Sequence, residues 1–175
     1  RGAGQASRQI NNFMAPGVWD HADKLCAVEV LTPNGNWSSY PPHKHDEESD
    51  GVINEEIYYF KCSGKNGYGI HRTYTKDKEI DETVTVHDGD CFLVPKRYHG
   101  PCIAPPGYDM YYLNVLAGPN EKRKMCFCWD KEHEWVAETW KNQKIDPRLP
   151  MSVKNRIDRY TLHMGRSSID LYSRD

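Results

Sequence analysis

Residues 35–60 read GNWSSYPPHKHDEESDGVINEEIYYF, and the chemistry of the chain can be worked outward from them. His43 and His45 form an HxH pair directly after two prolines. Residues two apart on a strand project to the same face, so both imidazoles can reach one ion. Residues 46–54 are acidic and turn-rich and read as a solvated loop. EIYYF (56–60) is aromatic and β-branched, and its two-residue repeat puts Glu56, Tyr58 and Phe60 on one face. Glu56 can therefore offer an anionic oxygen from a neighbouring segment, whereas its rival Glu55 alternates to the other face. A second stretch, GDCFLVPKRYH (89–99), ends an apolar strand on His99. Three neutral imidazoles and one carboxylate suit a divalent first-row metal, and open coordination positions would make it catalytic. An HxH taken alone is commonly just surface-loop decoration, so the joint pattern carries the reading.

Around these stretches the chain punctuates itself as short strands. LCAVEVLT (25–32) is a strand closed by the turn PNGN. GYGIHRTYT (67–75) reads as a hairpin partner of EIYYF across the turn SGKNG. ETVTVHDGD (82–90) alternates and ends in a DG turn, CFLVP (91–95) follows, and YDMYYLNVLAG (108–118) is the longest strand signal. Five or more strands at turn-marked spacing predict an all-β antiparallel sandwich or barrel. EHEWVAETW (132–140) is the one plausible helix, and residues 1–20 read as irregular lead-in or edge structure.

The 175 residues suffice for one sizeable domain, and 38% hydrophobic with 27% charged residues supports a packed core. A net charge of -2 argues against a nucleic-acid partner, which calls for a strongly basic face. No apolar run approaches a membrane span. The opening RGAGQASRQI lacks a signal-peptide pattern, and the six cysteines include no CxxC pair. Reduced thiols and a cytoplasmic location are the expectation.

The two histidine stretches in order resemble the two cupin motifs: glycine, HxH and glutamate, then glycine, five residues, proline and a histidine four positions on. The gap from His45 to Glu56 is longer than usual, and Arg97 stands where the motif usually has glycine. The likeness extends further. NWSSYPPHKHDE, EEIYYF, VPKRYH, APPGYDMYYLNVLAG and DPRLP resemble the 5-deoxy-glucuronate isomerases of inositol catabolism, in the KduI/IolB-type family. Members usually carry two cupin-like halves, and this chain is similar to the second, metal-bearing one. The resemblance implies a cupin barrel over residues 1–150, with a tail (151–175) of no assigned role.

That resemblance implies an aldose–ketose isomerase that converts 5-deoxy-D-glucuronate into 5-dehydro-2-deoxy-D-gluconate. It implies one divalent ion (manganese, zinc, iron or nickel) held by His43, His45, Glu56 and His99, and it favours Glu56 as the residue directly before the Ile-Tyr pair. The sugar's carboxylate wants a guanidinium fork. Arg72 is the first candidate, on the strand taken to face EIYYF, and Arg97 is the second. Tyr58, Tyr74 and Tyr112 are candidate proton carriers, with core aromatics as the plainer reading, and Asn114, a candidate for substrate binding, shares a face with Tyr112. The role of His71 is open. Lys44, between the two histidines, points away from the ion. A homo-oligomer is expected from family type. Two rivals stand beside the isomerase: a metal cupin oxygenase, and a non-catalytic sugar-binding fragment.

Overall fold

The computed structural model describes residues 1–46, 53–94 and 96–151. The centre of the acidic loop, Pro95 of the second motif and the tail beyond Met151 fall outside the described residues. The strands are β1 (Gln9–Asn12), β2 (Cys26–Thr32), β3 (Trp37–Ser38), β4 (His43–Lys44), β5 (Glu55–Cys62), β6 (Tyr68–Tyr74), β7 (Asp81–His87), β8 (Cys91–Val94), β9 (Tyr98–Ile103), β10 (Met110–Ala117) and β11 (Cys128–Trp129). One short helix, α1 (Trp135–Thr139), follows them and runs into a 3-10 turn, Trp140–Asn142. The all-β expectation with a single short helix near the C-terminus holds.

All the strands pair antiparallel in two sheets, ordered β1-β2-β10-β5-β8 and β11-β4-β9-β6-β7, with β3 also on β9. The expected hairpin between β5 and β6 does not form. β5 pairs with β10 and β8, while β6 pairs with β7 and β9, so the SGKNG turn crosses from one sheet to the other. Crossing between sheets lets each successive strand bury one face against the opposite layer. The correction reverses which β6 side chains look inward. His71 and Thr73 are fully buried, and Arg72 alternates to the outer face.

Alternation is clean where one face meets the interior. In β5 the buried set is Glu56, Tyr58, Phe60 and Cys62, and Glu55 is exposed. In β10 it is Met110, Tyr112, Asn114 and Leu116. Their registers interlock, with Tyr58 opposite Asn114 and Phe60 opposite Tyr112. Val28, Val30, Tyr58, Phe60, Val86, Cys102, Ala104, Met110 and Tyr112 form one apolar cluster between the sheets. The lead-in supplies an edge strand, because β1 zips onto β2 from Gln9↔Leu31 to Asn12↔Val28. Asp146 of the DPRLP segment secures that region: its amide donates to Ser7 Oγ, and its carboxylate accepts from Asn36.

One backbone contact governs how β9 enters the site. Gly100 has φ +100°, and a Cβ there would lie 1.8 Å from the Ser39 carbonyl oxygen. Gly100→Ala is therefore expected to lose about 1–3 kcal/mol from backbone strain alone, read as a fall in the urea unfolding midpoint. An unchanged midpoint would contradict this account.

Candidate metal centre

β4 and β9 run side by side with His43 opposite His99, so their pairing delivers two imidazoles to one point on the inner wall. His45, just past β4, adds the third, and one ligand atom from each of the three histidines lies within 4.8 Å of the other two. Glu56, at the start of β5, reaches the cluster from the opposite sheet. Its Oε2 is 2.8 Å from His99 Nε2 and 3.7 Å from His45 Nε2. Glu56 and His99 are 3% and 0% exposed, so both are shielded from bulk solvent.

The far side of two rings is tied to the main chain. His43 Nδ1 donates to the Pro41 carbonyl at 3.1 Å, and His45 Nδ1 to the Cys126 carbonyl at 2.6 Å. Each tie fixes the tautomer and leaves the Nε2 lone pair turned to the cluster, the arrangement usual behind metal-ligating histidines. Asn114 Nδ2 donates to Glu56 Oε1, so that oxygen is held and Oε2 faces the imidazoles. Glu56 Oε2 and both ring nitrogens of His99 are buried without a well-formed hydrogen bond. Buried polar atoms seldom stay unsatisfied. Convergent nitrogen and carboxylate donors of this kind fit a divalent cation.

Electrostatics favour the neutral form of His43 and His45 and the ionised form of Glu56. Burial lowers the pKa of His43 and of His45 below the ordinary histidine value, and the positive form of His99 lowers both further. Burial pushes the Glu56 carboxyl up, but His99 and His45 outweigh it and hold the group well below the usual carboxylate range.

The centre opens into a cavity of about 500 Å³, inside the ~300–1,000 Å³ range of small-molecule sites. Tyr58 and Tyr112 lie in its wall with stacked rings, centroids 4.7 Å apart. Burial raises both phenols well above 10, helped by Glu56 at Tyr58 and by Cys102 at Tyr112. Both therefore stay protonated at neutral pH. The Tyr58 hydroxyl sits 3.1 Å from Ser39 Oγ. Asn114 also lines the cavity, with its amide committed to Glu56.

Three expected site residues lie elsewhere. Arg72 forks onto Asp81 with two 2.7 Å bonds on the outer face of β6. Arg97 turns to Glu82 at 2.9 Å and to the Thr73 hydroxyl. Tyr74 shares Arg72's outer face and is buried by a 2.5 Å bond to Asp130. The placements of Arg72 and Tyr74 follow from β6 crossing sheets, which exchanges its inner and outer faces relative to a hairpin. His71 occupies the interior instead, with Nδ1 3.0 Å from Cys102 Sγ. Lys44 points away from the cluster as expected, toward Asp46 at 3.4 Å.

Other wall residues were not singled out by sequence: Arg8 from the lead-in, and Cys126, Phe127 and Trp129 from the segment around β11. No local motif marks them, because they come from stretches whose pattern is weak. Among the described residues a second acid–histidine group, Asp130, Glu132 and His133, lies outside this cavity.

A family model, the KduI/IolB family, matches residues 1–136. The chain belongs to the KduI/IolB family. Among curated members, the 5-deoxy-glucuronate isomerase of Geobacillus kaustophilus is 50% identical over 142 residues, covering 79% of this chain and 49% of that protein. The 5-deoxy-glucuronate isomerase of Bacillus subtilis strain 168 is 44% identical over 140 residues, covering 79% of this chain and 50% of that protein. The chain thus spans about half the length of the curated KduI/IolB relatives it matches. The crystal structure of an IolB-like protein from Salmonella typhimurium LT2 superposes with TM-score 0.70 at 40% identity, covering 78% of this chain and 51% of that one. Oxalate oxidase, at 12% identity and TM-score 0.53 over 74% of this chain and 59% of that one, shares the cupin fold.

Two outcomes test this geometry. Asn114→Ala frees Glu56 and is expected to weaken metal binding about 10–100-fold, read by competition with a chromogenic chelator; unchanged affinity would remove Asn114 from the centre. His71, buried and beside His99, has its pKa lowered from 6.5 to about 3. Between those values only the unfolded chain takes up the proton, so stability falls as pH drops below 6.5, by about 1.4 kcal/mol per unit. His71→Gln should flatten the slope between pH 6 and 4 by about that amount in urea titrations; an equal slope would refute the buried, uncharged imidazole.

Proposed function

We propose that this barrel holds one divalent metal ion through His43, His45, His99 and Glu56 and isomerises 5-deoxy-D-glucuronate to 5-dehydro-2-deoxy-D-gluconate. The observation that carries the reading is the set of buried, converging and unsatisfied donor atoms at the wall of a sugar-sized cavity. The substrate comes from the family, whose curated members bear the name 5-deoxy-glucuronate isomerase.

In an aldose–ketose exchange a proton leaves the carbon bearing the hydroxyl, another reaches the carbonyl carbon, and the two oxygens trade roles. A divalent ion in this centre would supply Lewis acidity to those oxygens, stabilising the negative charge that develops on them. The protein's own part is orientation and proton custody. Tyr58 and Tyr112 keep their phenolic protons and belong to the cavity wall, which supports them, in place of Tyr74, as the groups that donate to substrate oxygens. Asn114 acts through Glu56, by fixing its carboxylate. The apolar rings of Phe127 and Trp129 exclude water from the same wall.

Self-association belongs to the same proposal. Ile57, Tyr59 and Leu93 are 37%, 39% and 66% exposed on the outer side of β5 and β8, an apolar strip suited to burial against a second copy. A cytoplasmic location follows from the metabolic role. Among the described residues no helix is long and apolar enough to cross a membrane.

Incubation with 5-deoxy-D-glucuronate in deuterated water, followed by proton NMR with and without a chelator, tests the function. Ketose product is expected only without the chelator, with deuterium on the new CH2OH carbon. His99→Ala should lose bound metal and turnover together while the far-UV spectrum is kept. Turnover by a metal-free variant would overturn the site assignment.

A further inference from the structure

The cavity is lined by four cationic side chains, Arg1, Arg8, Arg123 and Lys124, and among the described residues its only acidic one is Glu56. Glu56 faces the imidazoles, so the rest of the cavity carries uncompensated positive charge. The four cations are not equivalent. Arg123 is spent on the protein: it donates to the carbonyls of Met14, Leu25 and Trp19, and it meets Asp20 at 3.3 Å. Lys124 is exposed, where water meets the cost of its charge, and the Arg1 guanidinium lies over the Phe127 and Trp129 rings, 5.2 and 5.8 Å from their centroids.

Arg8 alone is buried, at 4% exposure. Its Nη1 donates to Ala6 O and its Nη2 to Tyr40 O, each at 3.0 Å. A guanidinium has five N–H donors, so three have no acceptor among the described residues, and no carboxylate pairs with it there. Its guanidinium carbon stands 5.3 Å from the Trp140 ring centroid, and its charge is felt at Tyr112 and Tyr58 in the same wall. Burial lowers its pKa to about 10, which still leaves it charged at neutral pH. Removing a charge from water without a counter-ion is costly, and folded proteins seldom leave it so. A ligand that brings an anion to this point would supply the missing partner.

We propose that Arg8 is the specificity residue of the pocket, forking onto the terminal carboxylate of a sugar acid so that the carbonyl end faces His43, His45, His99 and Glu56. The inference rests on the isomerase reading for the identity of the sugar, and it assigns to Arg8 the role first expected of Arg72 and Arg97. The two carbonyl bonds set the plane of the guanidinium before any ligand arrives, which limits the ordering cost of a bidentate contact. A lysine would keep the charge and lose the fork.

Calorimetric titration of the metal-loaded protein with D-glucuronate and with D-glucose tests it, because the two probes differ only in a carboxylate against a hydroxymethyl group. The wild-type chain should prefer glucuronate at least tenfold. Arg8→Gln should abolish that preference while metal stoichiometry and glucose affinity stay unchanged, a pattern that a purely structural tie to Tyr40 would not give. An Arg8→Gln variant that keeps the preference would show the carboxylate going to the metal or to another cation and overturn the proposal, as would a wild type that shows none. If Arg8→Gln fails to fold, Arg8→Lys decides: a tenfold or greater loss for glucuronate with glucose unchanged supports the fork, and no change refutes it. The readout needs no turnover. Absent isomerase activity with an intact, Arg8-dependent preference would remove the named reaction and leave the carboxylate site standing.

Discussion

A carboxylate and three imidazoles meeting inside a closed β-barrel is the constraint around which the rest is arranged. Glu56 and His99 approach within 2.8 Å with both side chains buried. An assembly of that kind is stable only if every remaining lone pair and proton is accounted for. The accounting is spread over the fold. Pro41 and Cys126 carbonyls take the outer protons of His43 and His45, and Asn114 takes one Glu56 oxygen. Those partners come from the turn before β4, the segment before β11, and β10. The antiparallel register that sets His43 beside His99 and Asn114 beside Tyr58 is thus also the register that positions the site.

Both sheets contribute, and neither would suffice. β4 and β9 bring histidines from one layer, and β5 brings the carboxylate from the other. The apolar cluster from Val28 to Tyr112 packs the two layers together. Four of its members, Val28, Val30, Tyr58 and Tyr112, also line the cavity, so core and pocket share a wall.

The sequence was most readable where periodicity and burial coincide. The two-residue repeat in EIYYF assigns Glu56 inward and Glu55 outward, and the fold agrees because β5 has one dry face. β2, β7, β8 and β10 also lie where their strand patterns place them. What was not readable is which strands are neighbours. A turn as short as SGKNG is compatible with a hairpin or with a step between sheets, and the choice is made by packing far away in sequence. That single ambiguity displaced Arg72 and Tyr74 to the wrong face and hid His71. Arg8 was hidden differently: it sits in a stretch without repeat or motif, and its burial depends on Asn36, Tyr40 and Asp146, all distant along the chain.

The bond from His45 to the Cys126 carbonyl has a thermodynamic corollary. Cys126 belongs to the same stretch, Met125 to Trp129, that forms part of the cavity wall. A ring whose tautomer is set by that wall is a better ligand when the wall is in place, so ion affinity and wall closure are two faces of one equilibrium. Reciprocity then applies: an ion held at this centre would steady the Cys126 segment, and loosening that segment would weaken the hold on such an ion. The wall and the centre would in that sense act as a single cooperative unit.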